Sequence, residues 1–182
     1  MRSDSDKIKF IDDHYCYEVK MMYQSYFLKI REDNPNKDYF TNVKLELFIF
    51  HARNLMEFYY VERLNKKGER RYKDDAWASD FFSKNNWSEI RPCIDLWKDK
   101  FFKRAGKEMA HLSYSRLDLS LKEKEWNIYE IAKPLRDITI QFIDNIDKEY
   151  KTERILELHN FLKSIFSSDV LTSWCFSTVS IT

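Results

Sequence analysis

Arg104 and His111 stand seven residues apart in the stretch KRAGKEMAHLSYSR, residues 103–116. An imidazole titrates near neutral pH and can take or give a proton, while a guanidinium can hold two phosphoryl oxygens at once. Cleavage of RNA by its own 2′-hydroxyl calls on both groups. It needs a base for that hydroxyl, a cation beside the pentacoordinate phosphorane and an acid for the departing 5′-oxygen. No metal or other cofactor enters that scheme. One chain offers one such histidine, so a symmetric dimer that sets two of these helices side by side would supply one for each proton transfer.

The spacing predicts a shared helical edge. With Phe101 at the centre of a buried face and 100° per residue, Arg104 and His111 fall within ~20° of each other, about 60 to 80° from that centre. Lys100 and Lys107 join them, so the rim reads Lys100, Arg104, Lys107, His111. Like charges at these spacings oppose helix formation, and an anion would relieve them. The same residues also have a plainer reading, a solvated rim on which Arg104 pairs with Glu108 one turn later. The spacing leaves both readings open.

These residues need elements to position them, and the apolar periodicity predicts helices throughout. From about Asp6 to Arg31, Ile8, Ile11, Tyr15, Val19, Met22, Tyr26 and Ile30 recur at three and four, with Pro35 behind the stop. A second helix is expected to run to about Lys66, burying Leu45, Phe48, Ala52, Leu55, Met56 and Tyr59 and ending at Gly68. DDAWASDFF reads as a short helix capped by Asp74 or Asp75. A third long helix, from about Cys93 to Arg116, carries the Arg104 motif on a stripe of Ile94, Trp97, Phe101, Ala105 and Leu112. A fourth spans roughly Asn127 to Glu149 behind an Asn127/Glu130 cap, with a kink expected at Pro134, and residues 151–166 make one more. The Ser/Thr-rich end, 167–182, reads equally as a packed or a loose tail.

Composition narrows the class. The chain has 182 residues with 43% hydrophobic content, enough for one compact domain, and only two glycines and three prolines to make tight turns. The expected fold is therefore all-α: a single domain over 1–182, built as an antiparallel bundle of four long helices with short additional ones. A net charge of +1 makes no bulk argument for or against nucleic acid, so local patches must carry it. One such patch is the basic run RLNKKGERRYK, residues 63–73, which reads as a solvated loop or as a guide for an RNA backbone. Three scattered cysteines suggest neither a disulfide framework nor a zinc site. The N-terminus lacks the apolar core of a signal peptide, and no apolar run approaches ~18 residues, so a cytoplasmic protein with no membrane partner is expected.

The wider context FFKRAGKEMAHLSYSR, preceded by HARNLMEFYY on the second helix, resembles the HEPN superfamily of small α-helical bundles, loosely over residues 40–146. The resemblance implies a metal-independent endoribonuclease, needing no cofactor, whose Arg104 and His111 meet those of a second copy at a homodimer interface. It implies RNA as the substrate and a role in anti-phage defence or as a toxin, with an antitoxin or a nucleotidyltransferase as a further partner. Ala105 follows the arginine where the family often carries a polar residue, and Tyr114 falls one place later than the tyrosine of the toxin members' Arg-x4-His-x-Tyr pattern. Some members are catalytically silent, and the alternative expectation is a helical bundle that binds a nucleotide, RNA or protein partner.

Lys100, Lys107, Arg53, Asn54 and Tyr114 are the expected substrate-binding residues around that pair. Arg53 has an alternative in Glu57, its i+4 neighbour. His14, His51 and His159 show no metal-ligand spacing and read as ordinary surface or rim residues.

Overall fold

The structure is a computed structural model that describes residues 2–61, 74–83, 87–94, 101–110, 114, 117, 120–166 and 178–180. It is mostly helical. The chain begins with α1 (Asp4–Phe10), a π-helical turn (Ile11–Tyr15) and α2 (Cys16–Phe27), which succeed one another without a break. Ser3 and Asp6 start this run by accepting each other's backbone N–H, both at 3.2 Å, so the helix opens two residues before the apolar periodicity predicts. The π turn inserts an extra residue and rotates α2 relative to α1 about the helix axis. Cys16 and Tyr23 therefore join Ile11, Tyr15, Val19 and Met22 in the core, while Tyr26 is only partly buried.

α3 (Lys37–Tyr60) folds back along α2, since Tyr15 meets Tyr59 at one end and Tyr26 meets Phe48 at the other. Its expected core residues, Leu45, Phe48, Ala52, Leu55, Met56 and Tyr59, are all buried. It ends at Tyr60, about a turn and a half before the expected Lys66. The carbonyls of a helix's last turn have no N–H partners within the helix. Here the Tyr59 carbonyl is taken by Trp87 Nε1 at 2.8 Å and Arg91 Nη1 at 2.9 Å. The helix stops where these two side chains grip it, and Gly68, the expected stop, lies outside the described residues.

The stretch DDAWASDFF forms a single 3₁₀ turn, Ala78–Phe81, in place of the expected α-helix. Its cap is neither Asp74 nor Asp75: the Asp80 carboxylate accepts the Trp77 N–H at 3.1 Å, while Asp74 pairs with Arg2 at 3.6 Å. After α4 (Trp87–Ile90), residues 92–94 are not helical, so Cys93 and Ile94 do not open the third long helix. Tyr60 Oη donates to the Pro92 carbonyl at 2.8 Å, which occupies an acceptor that a helical first turn would use. Helical structure at 101–105 (α5) passes into a π-helical segment, Gly106–Ala110. Trp97 and Leu112 of the expected stripe fall outside the described residues.

α6 (Leu121–Lys124) leads into β1 (Glu125–Asn127), which pairs antiparallel with β2 (Thr178–Ser180), Trp126 opposite Val179. Three residues of the Ser/Thr-rich end are thus paired, and the rest of 167–182 lies outside the described residues. Asn127 then caps α7 (Ile128–Asn145) by accepting the Glu130 N–H at 3.4 Å, and the helix stays α-helical through Pro134. Thr152 caps α8 (Glu153–Ser164) in the same way and also bonds Asp12 on the first helical run.

Buried apolar residues from Ile11 to Ile165 form one contiguous cluster. A hydroxyl chain crosses it. Thr139 donates to the Leu135 carbonyl at 2.6 Å, Tyr59 donates to Thr139 at 2.9 Å, and Tyr15 lies 2.7 Å from Tyr59. Each hydroxyl has one proton to give, so the order fixes Tyr15 as donor to Tyr59. The chain ties the first helical run, α3 and α7 together. Among the described residues, no helix is long and apolar enough to cross a membrane.

Candidate functional site

The Arg104 segment is placed from below by aromatic packing. Phe101 and Ala105, four apart on one face, are buried, and the Phe101 ring meets the Trp126 ring edge-on at 6.3 Å. Trp126 is the central residue of β1. This contact leaves Arg104 directly over the indole, its guanidinium carbon 3.9 Å from the ring centroid.

The guanidinium is held on three sides as well as from beneath. Nε donates to Glu108 Oε1 at 2.8 Å, Nη1 to the Glu125 carbonyl at 2.8 Å and Nη2 to the Glu123 carbonyl at 2.7 Å. The two carbonyls mark the passage from α6 into β1, where the helical ladder no longer supplies donors. Arg104 is 29% exposed at its side chain, and Glu108 only 12%. The i+4 pair foreseen from the sequence is present, and two backbone bonds that no local pattern could announce accompany it. Three of the guanidinium's five N–H groups are spent in this way, each bond contributing about 1.5–3 kcal/mol.

Of the other residues expected on this edge, Lys107 is exposed and Tyr114 is 91% exposed, its carbonyl accepting the Leu117 N–H. His111 and Lys100 lie outside the described residues, as does the basic run 63–73. The π-helical segment Gly106–Ala110 occupies most of the interval between Arg104 and His111.

Arg53 and Asn54 belong to a different place, on α3. Arg53 Nη2 reaches Glu57 Oε1 at 3.4 Å, the i+4 alternative, and its buried Nε–H has no hydrogen-bond acceptor among the described residues. Asn54 Nδ2 donates to Glu18 Oε2 at 3.2 Å, and His51 Nδ1 lies 2.8 Å from the same oxygen. His51 is buried, which corrects its reading as a surface or rim residue. Sequence spacing carried no sign of this trio, because Glu18 comes from α2, 33 positions away. Among the described contacts, the partners of Arg53 and Asn54 lie on α2 and α3 and those of Arg104 on the π-helical segment, α6 and β1, with none in common.

The Tyr17 and Phe50 rings stand edge-on to His51, at 5.8 and 5.3 Å, and both are largely exposed. Tyr39, Phe40 and Leu47 extend this apolar surface along α3. A cleft of about 550 Å³ opens elsewhere, between α1 and the 74–83 segment. Its size suits a small molecule. Lys7, Lys9, Asp75 and Asp80 line it together, so its rim selects no sign of ligand charge. Among the described residues, no group of three or more His, Cys, Asp or Glu is placed to hold a metal ion.

No family model, curated protein or solved structure matches this chain.

Proposed function

We propose that the chain is a non-catalytic helical bundle of HEPN type that works by binding a protein partner. The observation that carries this reading is the clamp on Arg104. A guanidinium that stacks on Trp126 and donates to Glu108 and two backbone carbonyls commits three of its five N–H groups, one on each nitrogen, to the fold. The exposed apolar face of α3 supports the choice of a protein partner over a nucleotide or RNA, since contiguous apolar patches mark protein contacts and nucleic acid favours cations.

A second reading, the metal-independent endoribonuclease of defence or toxin systems, is favoured by one observation. The π-helical segment lies between Arg104 and His111, and π turns are frequent at functional sites. In that reading the segment unwinds the edge so that both side chains can reach one phosphate across a homodimer.

One experiment separates them. A mixed tRNA and mRNA pool is incubated in EDTA with wild type, Arg104→Ala and His111→Ala, and fragment ends are tested for 2′,3′-cyclic phosphate. Intact RNA with a folded wild-type protein is expected. Cyclic-phosphate fragments that vanish in both variants would overturn the binding reading and establish the nuclease.

A further inference from the structure

We infer that the cleft between α1 and the 74–83 segment binds a small zwitterion of amino-acid type, an ammonium and a carboxylate carried on an apolar body. This goes beyond the protein-partner reading and does not depend on it, because no residue of α3 lines the cleft.

Both walls of the cleft are anchored to the rest of the fold. On the N-terminal side, Tyr150 Oη accepts from Lys7 Nζ at 3.2 Å and donates to Asp4 Oδ1 at 3.0 Å. On the other side, the Asp147 carboxylate accepts the Ser83 N–H at 2.6 Å, and the Asp147 N–H donates to the Phe81 carbonyl at 3.1 Å. The walls also meet each other. The Phe10 and Phe81 rings lie 6.1 Å apart at the floor, and Arg2 reaches Asp74 at 3.6 Å at the exposed rim. A space of about 550 Å³ between anchored walls is within the range of small-ligand sites, which are usually formed before the ligand arrives.

The lining separates charge by wall. The N-terminal wall brings Arg2, Lys7 and Lys9 against one carboxylate, Asp6, which already accepts the Ser3 N–H. The facing wall brings Asp74, Asp75 and Asp80 and contributes no cation to the lining. A ligand of either single charge therefore meets one wall that repels it. A zwitterion lying across the cleft, carboxylate toward α1 and ammonium toward the acids, is attracted at both ends.

Particular side chains suit the two ends. Lys7 is engaged by Tyr150 and Arg2 by Asp74, whereas Lys9 is exposed and has no ion-pair partner among the described residues. Lys9 is thus the cation for the ligand's carboxylate. Opposite it, Asp75 and Asp80 receive the ammonium. A carboxylate can accept about four hydrogen bonds, so Asp80 can serve both the Trp77 N–H and a ligand. Phe10 and Phe82 are half-buried at the floor, which leaves ring surface for an apolar body to cover.

Isothermal titration of the full chain at neutral pH tests this with four probes that share a phenyl ring. L-phenylalanine carries adjacent charges, the dipeptide L-phenylalanylglycine carries them further apart, phenethylamine has only the ammonium and 3-phenylpropionate only the carboxylate. At least one of the two zwitterions is expected to bind with a Kd of about 1 mM or tighter, and both singly charged probes at least about tenfold more weakly. Lys9→Glu should weaken the zwitterion at least about fivefold while strengthening phenethylamine, and Asp75→Lys should weaken it while strengthening 3-phenylpropionate. Both substitutions are at exposed positions, and thermal melts without ligand are expected to match wild type. The inference is overturned if neither zwitterion binds at concentrations up to about 10 mM. It is equally overturned if a singly charged probe binds as well as the zwitterions, or if the two charge reversals leave every affinity unchanged.

Discussion

Arg104 lies flat over Trp126, 3.9 Å from the ring centroid, and bonds the carbonyls that precede and follow Lys124. One side chain thereby joins α5 to the start of β1. A planar, permanently charged fork suits the task, because it can stack on an indole while donating in its own plane.

Replacing Arg104 with alanine should therefore cost about 2–4 kcal/mol of stability, since three charge-assisted bonds and a stacked contact are lost together. Arg104→Lys should recover little of it, having a point charge without the fork. Urea midpoints at constant slope measure both. A loss below about 0.5 kcal/mol would show that the guanidinium is free in solution, and would favour the nuclease.

The hydroxyl chain through Tyr15, Tyr59 and Thr139 predicts unequal costs. Tyr15→Phe removes a terminal donor and leaves Tyr59 short of one accepted bond, at about 1 kcal/mol. Tyr59→Phe strands the buried Tyr15 proton and the Thr139 lone pair together, at about 2–3 kcal/mol. The double variant should cost less than the sum, because removing both partners leaves no orphaned donor. Equal single costs with full additivity would mean that the chain does not run in this direction.

Alkaline pH should unfold the protein through the same core. Burial pushes the Cys16 thiol up to about 11 and lifts the Tyr15, Tyr23 and Tyr59 hydroxyls above their usual value. Each group keeps its proton longer when folded, so the native state binds more protons once the unfolded chain begins to ionise. Stability is full below about pH 8.5, where unfolded cysteine titrates, and falls as pH rises past that and then past the tyrosine value near 10. Denaturation midpoints across pH 7 to 11 measure the slope, and Cys16→Ser should remove its earliest part. A flat profile to pH 11 would contradict the burial of these groups.

The helices were legible where packing follows period. α3 and α7 bury the residues that the three-and-four spacing selects, and the Asn127 cap sits where its Glu130 partner placed it. Helix ends were less so, because distant groups set them. α3 stops at the side chains of Trp87 and Arg91, and residues 92–94 stay non-helical where Tyr60 claims the Pro92 carbonyl. The N-terminal start could have been read from the Ser3-x-x-Asp6 spacing. At the candidate site the Glu108 pair was legible as an i+4 neighbour. The carbonyls of Glu123 and Glu125 carry no side-chain signature, and neither does the Glu18, His51 and Asn54 trio, whose members come from two helices. An exposed Phe50 next to a buried His51 likewise emerges only when α2 covers one side of α3 and leaves the other bare.

Tyr59 draws partners from along the whole chain: Tyr15 before it, Trp87 and Arg91 after it, and Thr139 later still, 80 positions downstream. During synthesis these arrive in that order. At roughly 5–20 residues per second, a nascent chain that has made Tyr59 waits several seconds for Thr139. Through that interval the aromatic side of the α2/α3 hairpin has no α7 to cover it, and the ribosome-bound chain offers Tyr15, Phe58 and Tyr59 to chaperones. Translation speed between residues 60 and 139 is therefore a variable to which the yield of folded protein should respond.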